Sequence, residues 1–381
     1  MKKVAIIGAG ISGLFIANLF KKTSNYQITL FEKNNSINLE EGYGIQLSVN
    51  SIKLLNEIEF YKIQKEYKFN PNKINFYSNR TLNKICELNI SEFNSYDCKY
   101  TTLKRSTLIN FLKKGLDDLV KTNHNISKII QLNEQIQLIF DNNKIFECDY
   151  LIVSDGVFSK SKNLISDNKI KPRYNETLAI RGMIPSALNI IDKKNISLFL
   201  DSDFHYVIYP VAPNGDFNFI AIMRHKLSNE EQKNYSIFKD NSFIKKILKK
   251  VSQKNIKFID NLKEIKIFPV FVSDDFYKIQ KNNIHLIGDA FFAFPPSFAQ
   301  GASQSIESAY ELFKSIENNS EGNFFNNRVN KIKKINIRSK INQFIFHLSN
   351  PLILYLRDIF LKKLVKNKKF LNTYLGKIYK N

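Results

Sequence analysis

The chain contains no tryptophan, and its three cysteines, Cys86, Cys98 and Cys148, stand at unrelated spacings. An odd count with no Cys-x-x-Cys pair excludes a disulfide framework and a structural zinc site. The five histidines form neither a His-x-His nor a His-x-x-x-His pattern, so no metal is expected. No run of about 18 apolar residues occurs, which excludes a bilayer-spanning helix. No secretory leader is legible, because the basic start runs straight into a strand and a glycine turn. The expectation is a reduced, cytoplasmic setting. Acidic residues are scarce: 35 Asp and Glu against 57 Lys and Arg leave a net charge of +22. Such a charge raises nucleic acid or an anionic membrane as partners. Lys, Asn and Ile are nevertheless abundant everywhere, and no basic motif interleaved with aromatics appears, so nucleic acid is not expected.

What is abundant is apolar surface. The composition is 43% hydrophobic with 32 Phe and 17 Tyr, enough for a large Phe-rich core. Residues 4–20 read VAIIGAGISGLFIANLF, with Gly8, Gly10 and Gly13 between an apolar strand and a helical pattern. The first glycine permits the tight turn, the second lets a pyrophosphate approach the backbone, and the third lets helix and sheet pack closely. Helix N-terminal amides then receive the phosphates, with the Ser12 hydroxyl close by. Glu32, 19 residues beyond Gly13 and followed by Lys33, ends the second strand, where a carboxylate accepts hydrogen bonds from a ribose diol. The site is suited to the ADP half of FAD or NAD, and this motif alone does not separate them.

The pattern predicts strands at 3–7 and 27–31 around a helix at 12–22, and a helix within 101–121 capped by Ser106 or Thr107. Strand alternation runs through 126–152 with a turn at Asn142-Asn143. From 171 to 275 the texture becomes longer β-runs, with a hairpin at 214–216 and a helix near 242–253. A buried strand returns at 283–289, and a loop with Pro295-Pro296 leads into a helix at 301–315. Residues 322–381 are basic with helical period. The expected architecture is α/β: a Rossmann-like domain with an inserted, mostly antiparallel sheet and a helical C-terminus. The boundaries are 1–170 for the first part of the nucleotide domain, with substrate-side elements at about 60–100. Residues 171–275 form the substrate sheet, 276–320 the second part of the nucleotide domain, and 321–381 the basic helices.

Two more strand ends carry motifs. YLIVSDGVFSKSK (150–162) ends in Asp155-Gly156, and IHLIGDAFFAFPPSFAQG (284–301) ends in Gly288-Asp289 before a proline loop and Gly301. With GAGISG at 8–13, EGYGIQLSVNSIKLLNEI at 41–58 and Arg105 in LKRSTLINFL, the order resembles the FAD-dependent aromatic hydroxylases, the p-hydroxybenzoate hydroxylase-like flavoprotein monooxygenases. The resemblance implies FAD as cofactor and NADH or NADPH as co-substrate. It implies hydroxylation of an aromatic or lipophilic small molecule with O2 through a flavin hydroperoxide. It places Gly8, Gly10, Ser12, Gly13, Glu32, Lys33, Arg105, Asp155, Gly156 and Asp289 along the cofactor. Gly44, Ile45, Pro296, Gly301 and Ala302 fall around its ring. The chain departs from the family where Phe292 stands for a frequent histidine, Ala299 for a glycine, and Lys162 for an arginine.

Phe291, Phe292, Phe294 and Phe298 are expected to keep the reacting centre dry. Arg181, His205, Tyr206 and Tyr209 are the candidates on the substrate sheet, and strand alternation allows only one of His205 and Tyr206 to face the pocket. A flavin reductase or dehydrogenase, or a non-catalytic dinucleotide-binding protein, remains as the alternative; a halogenase is disfavoured by the absence of Trp. The amphipathic, basic C-terminus reads either as a helix closing the cofactor domain or as a peripheral membrane contact. A monomer or homodimer is expected.

Overall fold

The first strand, Lys2–Ile7, is buried from Val4 onward on both faces, the pattern of a strand at the centre of a parallel sheet. The computed structural model describes residues 1–37, 43–133, 135–166, 169–186, 192–213, 215–253 and 259–379. Glu41, Gly42 and Asn214 of the motifs above lie outside the described residues. In the five-stranded parallel sheet, Lys2–Ile7 pairs with Tyr26–Phe31 on one side and Tyr150–Val153 on the other. Val120–Lys121 and Ile284–Leu286 form its edges.

Alternation sorts the two faces. Val4, Ile6, Leu30 and Ile152 pack on the helices Ile11–Lys21, Arg105–Lys113 and Gly301–Glu317. Ala5, Ile7, Phe31 and Val153 pack on the other side, where the antiparallel strands Ile126–Leu132, Gln135–Phe140 and Ile145–Cys148 supply Ile136, Leu138 and Phe140. Asn143, at φ 60°, makes the turn expected between two of them.

The helix expected within 101–121 is shorter. Thr101–Lys104 is a strand zipped antiparallel to Gly44–Leu47, and the helix spans only Arg105–Lys113. Lys104 holds the cap position with no side-chain hydrogen bond, so neither Ser106 nor Thr107 caps it. Buried Thr101, Thr102 and Leu103 favour the strand, and Gly115 at φ +75° ends the helical path.

A seven-stranded sheet covers the cavity side of the molecule. Its order is Lys263–Val272, Arg173–Ile184, Phe217–Arg224, Phe204–Pro210, Ile196–Asp201, Lys73–Ser78 and Lys84–Asn89. All neighbours run antiparallel except Ile196–Asp201 with Lys73–Ser78. One face is closed by the helix Asn241–Ser252 through Ile247 and Val251. Asp240 caps that helix by accepting from the amides of Ser242 at 2.7 Å and Phe243 at 3.1 Å.

The helix Gly301–Glu317 is fixed by a buried polar network. Ser303 contacts Ser48, Gln304 donates to Glu307 at 2.9 Å, and Asn50 donates to the same carboxylate at 3.1 Å. Arg328, 1% exposed on the helix Glu321–Phe346, donates to Gln304 Oε1 at 2.7 Å, Gln304 O at 2.8 Å and Glu311 at 3.2 Å. Removing one member leaves the rest buried and unpaired, so Arg328→Leu should cost about 3–5 kcal/mol, read as a lowered denaturant midpoint. An unchanged midpoint would mean the network contributes little to stability.

Candidate active site

Three strand ends meet with no room for side chains. Gly8, at φ +101°, leaves a β-carbon only 2.7 Å from Ser154 O. At Gly13 a β-carbon would lie 2.0 Å from Gly8 O, and at Gly288 2.6 Å from Ser12 Oγ. The Ser154 hydroxyl bonds the carbonyls of Ile7 and Gly8 at 2.8 and 2.9 Å. Gly10, Gly156 and Gly301 are different: nothing lies within 4 Å of a β-carbon there. Closed packing alternates with open backbone, as a ligand lying along the turns requires.

Glu32 is held by the first turn. Its Oε2 accepts from the Ala9 amide at 3.0 Å, and its Oε1 from the Asn34 backbone and side-chain N–H groups at 3.0 and 2.8 Å. Lys33 points into solvent. Asp155 accepts from the Ser161 amide at 3.0 Å, and its other oxygen is buried without a protein partner. Lys162 is buried, donates to Ala290 O at 3.2 Å, and has its pKa lowered by that burial. It braces the turn after Asp289.

From this cluster a cavity of about 1060 Å³ runs beneath the seven-stranded sheet. Gly44, Ile45, Arg105, Asp289, Pro296, Gly301 and Ala302 line it, together with Arg181, His205 and Tyr209. Gly8, Gly10, Ser12, Gly13, Glu32, Asp155 and Gly156 stand outside its lining. The Gly301–Glu317 helix begins at the wall with no side-chain cap and no acid in its first turn, so its amides and positive dipole end are free for a ligand. Ala299 turns the chain into it at φ +52°. Asp289 is accessible to the cavity yet enclosed by protein, and that desolvation pushes its carboxyl up to about 6.

On the strand Phe204–Pro210, His205, Val207 and Tyr209 face the cavity. Phe204, Tyr206 and Ile208 face the opposite core, where Tyr206 donates to Asn79 at 3.0 Å. Tyr206 is therefore not brought to the site. His205 Nδ1 meets His347 Nε2 at 2.7 Å, and burial together with that neighbour holds its pKa well below the usual value. Arg181 lies 5.5 Å from the Tyr43 ring centre, and Lys266 lies 5.8 Å from the same ring. Burial raises the Tyr209 pKa, opposed by Arg181.

Tyr43, Gln46 and Tyr100 also line the cavity, with Tyr100 donating to Gln46 at 2.8 Å. Sequence reasoning missed these three; the period-2 spacing of Gly44 and Gln46 on one strand was the available signal. Of the four phenylalanines, Phe294 and Phe298 line the cavity, whereas Phe292 stacks on Phe276 at 4.3 Å and Phe291 packs in the core.

The donor set fits FAD: an open glycine turn with an acid for a ribose, a recessed carboxylate for hydroxyls, and an uncapped helix end. The chain matches the FAD-binding domain family over residues 132–324 and an NAD(P)-binding Rossmann-like domain over 6–39. It is 22% identical to salicylate hydroxylase of Pseudomonas putida across 81% of this chain and 75% of that protein. It is 20% identical to 6-hydroxynicotinate 3-monooxygenase of Bordetella bronchiseptica across 96% and 98%. The fold superposes on Klebsiella pneumoniae HpxO, solved with FAD and uric acid, at TM-score 0.83, 16% identity and coverage of 98% and 95%. The chain belongs to the FAD-dependent aromatic hydroxylases. Its cofactor is FAD, with NAD(P)H as the family's co-substrate.

Gly10→Val should leave apoprotein stability within about 0.5 kcal/mol, because the position is open, yet abolish FAD retention on gel filtration. Gly13→Ala should cost about 1–3 kcal/mol from overpacking, measured by denaturant unfolding. If Gly10→Val still binds FAD normally, the cofactor does not cross that turn.

Asp289 gives opposite signs with and without cofactor. Its raised pKa makes the apoprotein more stable as pH drops through about 6 toward 4, because the folded state holds the proton more tightly. A cofactor hydroxyl needs the ionised carboxylate, so FAD affinity should fall over the same interval, by up to about tenfold per pH unit. Flavin titration of Asp289→Asn should lose this slope, and Asp289→Ala should purify colourless.

Proposed function

We propose that the protein inserts one oxygen atom of O2 into an electron-rich aromatic ring bound beneath the seven-stranded sheet. NAD(P)H supplies two electrons, and the second oxygen atom leaves as water with the ring and solvent protons. The observation that carries this is a mostly apolar cavity whose lining brings Asp289 and the Gly301 helix end together with Arg105, Arg181 and several phenol groups. Bound FAD supplies the two-electron relay and the activation of O2. In this reading residues 1–170 and 276–320 hold the cofactor, 171–275 with 60–100 hold the substrate, and 321–381 close the cavity.

The chain's own groups divide the remaining work. Gly8, Gly10, Ser12 and Gly13 with the first helix end, and Arg105, meet the phosphates. Glu32 meets the adenosine ribose, and Asp155, Gly156 and Asp289 meet the remaining hydroxyls. The Gly301 and Ala302 amides stabilise negative charge at the ring edge, where Gly44, Ile45 and Pro296 pack. Arg181 holds the substrate's phenolic oxygen as its anion, and the Tyr209 hydroxyl orients it. His205 stays neutral and keeps the chamber wall in place through His347. Phe294 and Phe298 exclude water from the reacting centre.

Purified holoprotein should consume O2 and NAD(P)H one for one with a phenol that fits, with little peroxide released. NAD(P)H oxidation that proceeds equally well without O2 would replace this reading with a dehydrogenase. Arg181→Met should keep its FAD and lose about 10²-fold in kcat/KM, with Arg181→Lys partly restored. Unchanged turnover in Arg181→Met would remove Arg181 from the reaction.

A further inference from the structure

Eight of the 17 exposed large hydrophobic side chains among the described residues fall between Ile337 and Phe360. They form helical rows. Ile337, Ile341 and Phe344 share one face of the helix Glu321–Phe346, and Leu352, Leu356 and Phe360 share one face of the helix Pro351–Leu364. These six side chains are between 44% and 69% exposed. Scattered exposed hydrophobics are ordinary, whereas two such rows on consecutive helices mark a docking face.

Each row contributes to the cavity lining. Ile341 and Phe360 are both exposed and part of that lining, and Ile345, Leu361, Leu364 and Val365 line the same cavity as Arg181. The exposed apolar face and the chamber wall therefore share residues.

Charge identifies what covers it. From residue 322 to 379 the chain carries thirteen Lys and Arg and one acid, Asp358, which is already paired with Arg357. Lys362, Lys363, Lys366, Lys368 and Lys369, all exposed, follow directly on the second row. Apolar rows bordered by lysines suit the boundary of an anionic bilayer, where the rows enter the acyl region and the ammonium groups meet phosphates. A second copy of this face would instead oppose two strongly basic surfaces.

We propose that the two C-terminal helices seat the protein on an anionic lipid surface, and that the chamber receives from that surface an aromatic ring carrying an apolar tail. The ring reaches Arg181 while the tail lies along Leu361, Leu364 and Val365. The surface assignment stands by itself; the substrate class rests on the hydroxylase reading above.

The test is co-sedimentation of the FAD-loaded protein with vesicles of phosphatidylcholine containing about one-third phosphatidylglycerol, against phosphatidylcholine alone. Binding should be at least about tenfold stronger to the anionic vesicles and weaken with salt. The triple variant Phe344→Glu, Leu352→Glu, Leu356→Glu lies outside the cavity lining. It should keep its FAD and lose at least about tenfold in vesicle binding. Absent vesicle binding, or a triple variant that binds like the parent, overturns the proposal. So does a triple variant that turns a dimer into a monomer by light scattering, which would assign the rows to self-association. A long-chain alkylphenol in anionic vesicles should be turned over at least about tenfold faster by the parent than by the triple variant, with a short phenol indifferent. Equal rates on the alkylphenol overturn the substrate class. Absence of coupled O2 uptake with both phenols, with vesicle binding intact, marks failure of the hydroxylase reading instead.

Discussion

The rest of the structure depends on one steric constraint: three backbone turns, from residues 8–13, 154–156 and 288, occupy the same small volume. Gly8 touches the backbone of Ser154, Gly13 touches Gly8 and Ser154, and Gly288 touches Ser12. Segments 280 residues apart in the chain are thereby locked in register at the ends of adjacent parallel strands. The Ser154 hydroxyl adds hydrogen bonds to the Gly8 carbonyl and to the Ile7 carbonyl, which also accepts the Ser154 amide. Because the closed glycines fix the turns, the open ones can present bare backbone. This division of labour makes a rigid cradle without side chains of its own.

Electrostatics follows the same layout. Acceptors stand where hydroxyls are expected, at Glu32 and Asp289, and an uncapped helix end stands where negative charge would develop. Arg181, 5.5 Å from the Tyr43 ring centre, puts a positive charge in the cavity lining, and Lys266 approaches the same ring from outside that lining. The buried network from Ser48 to Arg328 backs the site: Gln304 and Arg328 line a small pocket shared with Asp289 and Gly301. The network anchors the Gly301 helix, because Glu307 and Gln304 tie that helix both to Asn50 on the helix Val49–Asn56 and to Arg328 on the helix behind it.

Much of this was legible in the sequence, because glycine turns and buried parallel strands leave strong local signals. The central strand, the first helix, the 126–148 meander and the helix at Gly301 all follow from spacing and hydrophobic runs. The site at the substrate end was less legible. Alternation showed that His205 and Tyr206 oppose each other, but the phase depends on which face of a distant sheet the cavity occupies, and tertiary packing alone decides that. The structure turns Tyr209 inward and Tyr206 outward. Gln46, on a different sheet, and Tyr43 and Tyr100, just before its strands, were missed because the Gly44–Asn218 and Thr102–Pro210 contacts that tie this sheet to the substrate strands are long-range. The helix at Arg105 was overextended because the strand before it is stabilised by a partner nearly sixty residues earlier.

The strand Ile284–Leu286 pairs with Tyr150–Val153, although 131 residues separate Val153 from Ile284. At translation rates of about 5–20 residues per second, the nascent chain waits about 7–26 s between making one partner and the other. During that interval the growing sheet carries an open parallel edge, and the glycine turn at its centre lacks the backing that Gly288 gives to Ser12. Cofactor capture is thus a late event on the ribosome. The open edge closes once residues 284–286 emerge, so until then it is the natural handle for chaperones and proteases.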